Sequence, residues 1–417
     1  MARTVLKFGG TSVADLERID HVADLVAARA ANGGGLAVVV SAMSGETNKL
    51  VAYAQGAAGE GAQGPDFDDE YDVVVSSGEQ VTSGLLALAL RKRGLKARSW
   101  LGWQLAMKTD GAHGSARIMG FEGDALPEAI DGGEIAVIAG FQGVTEARRV
   151  ATLGRGGSDT TAVAVAAALK AKSCDIYTDV DGVYTTDPRI VAKAQRIPKI
   201  SYEEMLEMAS LGAKVLLTRS VELAMNHNVP IRVLSSFGAP GSETEETGTL
   251  VCDEEYIVEK QIVSGVAYSR DEAKITLYGI ADTPGMASRI FSLLAAAGVN
   301  VDMIVQANAR GPDRANMVFT CTSRESSLAE KALNDALGEV AFEALEVITD
   351  VAKISVIGVG MKSHTGVAET MFHALYEKGI NIDVISTSEI KISVLIEAAY
   401  TELAVRALHT AFGLDAD

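Results

Sequence analysis

A lysine two residues ahead of a glycine pair, with hydroxyls behind it, is the first group able to do chemistry: Lys7-Phe8-Gly9-Gly10-Thr11-Ser12, directly after a β-rich start. Glycines let backbone N–H groups come close to a phosphate, and the lysine is a compact cation for β/γ oxygens. A plain tight turn with a surface lysine accounts for the same residues, so the motif alone shifts the balance only modestly. A second segment, Leu153-Gly154-Arg155-Gly156-Gly157-Ser158-Asp159-Thr160-Thr161, runs into an Ala-rich stretch. Asp159 and the threonines suit a helix N-terminus, whose orphan donors favour anions. Arg155 can grip a carboxylate through two parallel N–H bonds. Three glycines around an arginine exceed what a capped surface loop requires, so this segment reads as functional.

Ser76-Ser77-Gly78-Glu79 follows Val73-Val74-Val75, read as a strand. Glu79 can pair with a substrate ammonium, which a free amino acid has and an N-acylated one lacks. A helix start with Glu in its first turn fits the spacing equally well. In Tyr177-Thr178-Asp179-Val180-Asp181-Gly182-Val183-Tyr184-Thr185-Thr186-Asp187-Pro188-Arg189, the acidic pair before Gly182 hints at a calcium loop, but the third acidic ligand is missing. A nucleotide-lining loop with aromatic and arginine contacts stays open there. No G-x-x-x-x-G-K-[ST] occurs, so this is not a P-loop enzyme. Gly358-Val359-Gly360-Met361-Lys362-Ser363 imitates a dinucleotide fingerprint, with Asp383 near the end of the next strand. Its third position is Ser363, and the matching loop Gly279-Ile280-Ala281 lacks the second glycine, which marks a decoy. The six histidines are scattered without metal-ligand spacing.

These residues need elements to position them. Up to about residue 235, short β-rich runs (Val38–Val40, Val73–Val75, Ile135–Ile138, Cys174–Tyr177) alternate with Ala- and Leu-rich segments such as Thr160–Ala171. That alternation predicts a layered α/β domain on a largely parallel sheet, with Pro230–Leu234 as its closing strand. Residues 236–261 read as a linker and entry strand. Beyond lies an internal repeat. Asp271-Glu272-Ala273-Lys274-Ile275-Thr276 matches Asp350-Val351-Ala352-Lys353-Ile354-Ser355, and Gly285, Phe291, Gly298, Asn300, Asp302 and Ile304 match Gly366, Phe372, Gly379, Asn381, Asp383 and Ile385. Each copy (262–340 and 341–417) reads as β-α-β-β-α-β, a small sandwich needing a partner to cover its sheet.

The bulk numbers set limits. At 417 residues, 48% hydrophobic and 22% charged, the chain is a globular protein of several domains. A net charge of −18 without a basic block argues against a nucleic-acid partner. No apolar run approaches the roughly 20 residues that span a bilayer, and the start, Thr4 to Gly10, is no secretory signal. Cys174, Cys252 and Cys321 are odd in number and widely spaced, which fits a reducing cytosol. The acidic runs Asp66–Glu70 and Glu243–Glu246 lie among Gly, Pro and Ser and read as exposed loops.

Taken together, K-F-G-G-T-S-V, S-G-E, L-G-R-G-G-S-D-T-T-A, Y-T-D-V-D-G-V-Y-T-T-D-P-R and the repeat resemble the aspartate kinases of the amino acid kinase superfamily, over essentially the whole chain. The resemblance implies a three-layer α/β/α kinase domain and two α+β, ferredoxin-like ACT domains. It implies a cytoplasmic phosphotransferase that uses ATP with Mg²⁺ to phosphorylate L-aspartate, opening lysine, threonine and methionine biosynthesis. On it, Lys7, Arg155 and Asp159 are catalytic, and Thr47, Glu79, Arg155 and Ser158 bind substrate. ATP would contact Lys7, Phe8, Gly9, Gly10, Ser41, Thr178, Asp179, Tyr184, Arg189 and Lys214. Feedback by lysine, threonine or both would act through Asp282, Gly285, Ala287, Gln306, Asn381, Ile382 and Ser386, in a homo-oligomer assembled through ACT domains. No dedicated protein metal site, nucleic acid or membrane is implied. The alternatives are a kinase of glutamate or N-acetylglutamate, against which Glu79 and the repeat speak, and an inactive amino-acid sensor, against which Lys7, Arg155 and Asp159 speak.

Overall fold

Gly35–Val40 is buried along its whole length, as a strand covered on both faces must be. The structure, a computed structural model, describes residues 2–59, 61–62, 64–211, 215–244, 246–257, 261–309 and 313–415. The chain divides into two compact units.

The first unit holds strands β1 (Arg3–Phe8), β2 (Gly35–Val40), β3 (Ala97–Trp100), β4 (Met107–Thr109), β5 (Ile118–Phe121), β6 (Ile135–Ala139), β7 (Gln142–Val144), β8 (Val150–Thr152), β9 (Ser173–Thr178), β10 (Lys199–Ser201), β11 (Ile231–Ser235) and β12 (Thr249–Cys252). Its helices are α1 (Leu16–Ala31), α2 (Glu46–Ala58), α3 (Pro65–Val75), α4 (Ser77–Lys92), α5 (Ala125–Asp131), α6 (Gly157–Ala168), α7 (Tyr202–Ser210) and α8 (Thr218–His227). The main sheet runs β10-β12-β11-β9-β1-β2-β6-β3. It is parallel except where β11 meets β12, and a smaller sheet runs β5-β4-β7-β8. Helices α1 and α4 cover one face through Val22, Leu25, Val26, Leu86 and Leu90. On α6 every residue from Gly157 to Ala166 is buried, which explains its lack of a polar stripe.

Several readings of the sequence change here. Val73–Val75 ends helix α3 rather than forming a strand. Its β-branched run is overridden because Asp72, fully buried, accepts bonds from the backbones of Gly114 and Thr152 and from His113, fixing this helix against β8. The acidic run ahead of it is therefore the helix's first turns and not a loop. Ile231–Ser235 does not close the sheet, because β12, from the stretch read as linker, pairs beyond it. Within that stretch Glu243 turns inward to accept a bond from the Tyr177 hydroxyl at 3.0 Å. The span Phe67–Lys92, counted as one helix, is long and apolar enough to cross a bilayer. It nevertheless buries Asp72 and Glu79 and packs Leu86 and Leu90 into the core, as a central helix of a folded unit does.

The second unit carries β13 (Gly265–Ala281), α9 (Met286–Ala296), β14 (Val301–Asn308), β15 (Arg314–Cys321), α10 (Ser326–Asp335), β16 (Ala344–Ile357), α11 (Val367–Glu377), β17 (Val384–Thr387), β18 (Lys391–Glu397) and α12 (Thr401–Ala411). Sheet order is β14-β15-β13-β16-β18-β17. The long strands β13 and β16 serve both copies, with register shifts near Glu272 where one copy passes into the other. Leu277, Ile290 and Phe319 lie in one core, and Ile354, Met371 and Val394 in another. Residues 265–269, at the start of the first copy's span, pair with 353–357 and complete the second copy's sheet.

The repeat also places charges reciprocally. Lys274 of the first copy pairs with Asp383 of the second at 2.7 Å, and the matching Lys353 pairs with the matching Asp302. These bridges sit where β14 and β17 lie side by side. Lys353 also meets Glu272 at 2.9 Å. Burial lowers the affinity of Lys353 for its proton, but the two carboxylates more than offset this and raise its pKa. We expect Lys274→Glu to lower the unfolding midpoint and an added Asp383→Lys to restore most of it, with a coupling of about 1 kcal/mol. A double variant no more stable than the single one would show that the pair is uncoupled.

Candidate active site

Parallel sheets bind ligands beyond the carboxyl ends of their strands, where neighbouring loops part. Here β1, β2, β6 and β9 end together. Lys7, the penultimate residue of β1, stands in register between Val39 and Ile176. Only 8% of it is exposed, and its Nζ lies 2.5 Å from Asp159 Oδ1. The first turn of α6 thus brings an acidic residue from far along the chain to the lysine of the opening loop. A Cβ at Gly140, after β6, would meet Ser158 Oγ at 2.8 Å, so a glycine there lets α6 sit close over the strand end.

Ser41 follows β2 and donates its N–H to the Phe8 carbonyl at 3.1 Å. The next N–H, from Ala42, donates to Glu79 Oε1 at 3.0 Å. Glu79 is 4% exposed, and its Oε2 has no partner among the described residues. Burial pushes its pKa up to about 7, against the opposing pull of the Ala42 bond. A carboxylate so placed has one oxygen held by backbone and one open to a cationic ligand.

Thr47 lies in the first turn of α2 and is half-buried. Arg155 occupies the exposed turn before α6 and has no ion pair among the described residues. Phe8 is buried and stacks on Tyr177, centroids 4.6 Å apart. Thr178 ends β9, and its hydroxyl donates to Asp179 at 3.1 Å. Tyr184 and Arg189 fall within 184–195, which belongs to the second unit. Arg189 is 89% exposed at its side chain and bridges Asp187 at 2.8 Å. Lys214 lies outside the described residues. In the second unit Asp282 and Gly285 lead into α9, Ala287 lies in its first turn, Gln306 is on β14, and Asn381 and Ile382 precede β17, which carries Ser386. Asp282, Gly285, Gln306 and Asn381 are exposed.

Two groups escaped the sequence reading. The Ala42 N–H that holds Glu79 is backbone, and no residue type signals it. Ser236, just past β11, bonds the Ser12 hydroxyl at 2.8 Å and takes Arg18 on its carbonyl at 2.7 Å. That clamp ties the opening loop to a strand end more than 200 residues on, a contact no local pattern encodes.

A parallel sheet presenting a buried lysine–carboxylate pair and an unsatisfied buried glutamate, in a chain with a tandem ferredoxin-like half, defines an amino acid kinase with ACT domains. Residues 2–235 match the amino acid kinase family, and residues 275–337 and 354–412 match the ACT domain. The chain is 53% identical to an aspartate kinase of Pseudomonas fluorescens, over all of this chain and 98% of that one. It resembles E. coli aspartokinase III in complex with aspartate and ADP (TM-score 0.78, 28% identity, 98% of this chain and 99% of that one). It also resembles that enzyme in complex with lysine and aspartate (TM-score 0.73, 28% identity, with the same coverage). The chain belongs to the aspartate kinase family and is a phosphotransferase with a carboxyl group as acceptor.

Proposed function

We propose that the chain transfers the γ-phosphoryl group of Mg²⁺-ATP to the side-chain carboxylate of L-aspartate, giving 4-phospho-L-aspartate. The reading is carried by Glu79, whose buried, unpartnered oxygen suits an ammonium. Glu79 takes the α-ammonium, Arg155 the α-carboxylate, and Thr47 and Ser158 complete the cradle. Lys7, Gly9, Gly10 and Ser41 face the phosphates, and Thr178 and Asp179 face the nucleotide. The bound aspartate and ADP of the E. coli relative support this assignment.

The acceptor carboxylate, with a pKa of about 3.9, is ionised at neutral pH and needs no general base. Its obstacle is repulsion, since an anion must reach an anionic phosphate. Lys7 and backbone donors lower that barrier by positioning and charge. Among the described residues no three His, Cys, Asp or Glu side chains converge as a metal cage. The chemistry therefore suits Mg²⁺ held mainly by phosphates, with Asp159 as the carboxylate at hand. When bound, Mg²⁺ neutralises charge on the β/γ oxygens.

The same reading places the chain in the cytoplasm at the head of lysine, threonine and methionine synthesis. The ACT copies bind lysine or threonine as inhibitor and pair chains into a homo-oligomer. The lysine complex of the E. coli relative supports such an effector. Incubation with ATP, Mg²⁺ and hydroxylamine should give hydroxamate from aspartate but not from glutamate or N-acetylglutamate, and lysine or threonine should suppress it. Absence of product from aspartate would sink the catalytic reading, and insensitivity to both amino acids the regulatory one.

A further inference from the structure

Residues 184–195 interrupt the first unit in sequence but pack into the second. Val191 lies in the hydrophobic core of the second ACT copy, and Ile190 and Ala194 pack against it. The Val266 N–H donates to the Thr185 carbonyl at 2.8 Å, and Arg406 Nε donates to that of Ile190 at 3.1 Å. At the mouth of this segment Thr185 N–H donates to the Gln195 carbonyl at 2.9 Å, and Gln195 N–H donates to Thr185 Oγ1 at 3.0 Å.

That hydroxyl also lies 2.9 Å from His409 Nε2. His409 Nδ1 lies 2.9 Å from Asp415 Oδ1, and the tautomer with its proton on Nδ1 donates there while Nε2 accepts from the hydroxyl. Thr410 Oγ1 donates to the other oxygen of Asp415 at 3.2 Å. His409 is fully buried and Thr185 nearly so, which makes each of these bonds costly to lose. The order hydroxyl, imidazole, carboxylate is that of a hydrolase triad, but a hydroxyl this enclosed meets no substrate. The chain of bonds holds the mouth shut.

Just outside the mouth, within the first unit, Ile197 N–H donates to the Val183 carbonyl at 2.8 Å. Thr249 Oγ1 brackets that rung, accepting from Val183 N–H at 2.8 Å and donating to the Ile197 carbonyl at 2.6 Å. The same two stretches of chain are therefore pinned twice, each time within its own unit. From Val183 the chain runs back through Asp179 and Thr178 into β9.

We propose that His409 is a positioning residue for the nucleotide loop, anchoring through Thr185 the segment that continues into Thr178 and Asp179. The inference rests on the reading that those two residues contact ATP. The test uses full-length His409→Ala, Thr185→Val, Thr185→Ser and Asp179→Asn, with KM measured separately for ATP and aspartate. Loss of the anchor should raise KM for ATP about tenfold in His409→Ala and Thr185→Val, leave KM for aspartate within about twofold, and be rescued by Thr185→Ser. Thr185→Val, nearly isosteric, serves should His409→Ala fail to fold. An unchanged KM for ATP in a folded variant, or equal rises for both substrates, overturns the proposal. If Asp179→Asn leaves KM for ATP unchanged, the nucleotide assignment fails first, a pattern distinct from failure of the anchor.

Discussion

Lys7→Ala is expected to lower kcat by about a thousandfold while leaving KM for aspartate within about threefold. The lysine is assigned to charge that builds on the transferring phosphoryl group, whereas Glu79 and Arg155 are proposed to hold aspartate. Removing a group that acts mainly in the transition state cuts turnover and spares ground-state binding. The ion pair adds a structural consequence. Without Lys7, the Asp159 carboxylate, 8% exposed, loses the cation 2.5 Å away. We expect a stability loss of about 1–3 kcal/mol. Adding Asp159→Asn should recover stability but not turnover, which separates the chemical role from the structural one. Equal losses in kcat and aspartate affinity would contradict the role given to Lys7.

Glu79→Gln should raise KM for aspartate by about a hundredfold, the scale of a lost buried charge pair. It should also make the fold more stable above neutral pH. Burial lifts the pKa of this carboxyl from 4.5 to about 7, so the folded chain holds its proton more tightly than the unfolded one. Ionising Glu79 therefore costs stability progressively as pH rises from about 4.5 to about 7, and none below that window. Glutamine carries no such penalty. Its gain should be on the order of 2–3 kcal/mol at pH 8 and absent near pH 4. In the native enzyme the same proton competes with the substrate ammonium, so KM for aspartate should rise about tenfold between pH 8 and pH 6. Glu79→Gln should flatten that profile. A pH-independent KM in the native enzyme would remove the ammonium-binding role from Glu79.

The candidate residues that the structure brings together, Lys7 and Asp159, were legible in the sequence for a physical reason. Lysine beside glycines and arginine among glycines are local solutions to binding anions, and a local solution leaves a local signature. The repeat was legible because two copies of one fold must bury the same positions. Other features misled or stayed silent. Three valines before Ser76 favour a strand, yet buried Asp72 fastens them as helix α3. The glycines of the dinucleotide-like decoy have a packing explanation, since a Cβ at Gly358 or Gly360 would meet the backbone oxygen of Ile262 at 2.3 Å or of Gln261 at 2.6 Å. The loop read from Tyr177 to Arg189 gave no sign that its second half, from Tyr184, belongs to the second unit, where Val191 just beyond it joins a core.

The sequence by itself determined the kinds of groups available: a lysine beside glycines, an arginine among glycines, alternating strands and helices, and a duplicated second half. Only the tertiary structure decided which groups meet and what state they are in. Lys7 reaches Asp159 because the first turn of α6 meets the carboxyl end of β1. Glu79 holds a proton near neutrality because α4 buries it with one oxygen unpaired. His409 secures Thr185 because α12 and a distant loop share one core. Proximity and desolvation depend on the whole packed chain, so no window of residues, however rich in motif, contains them.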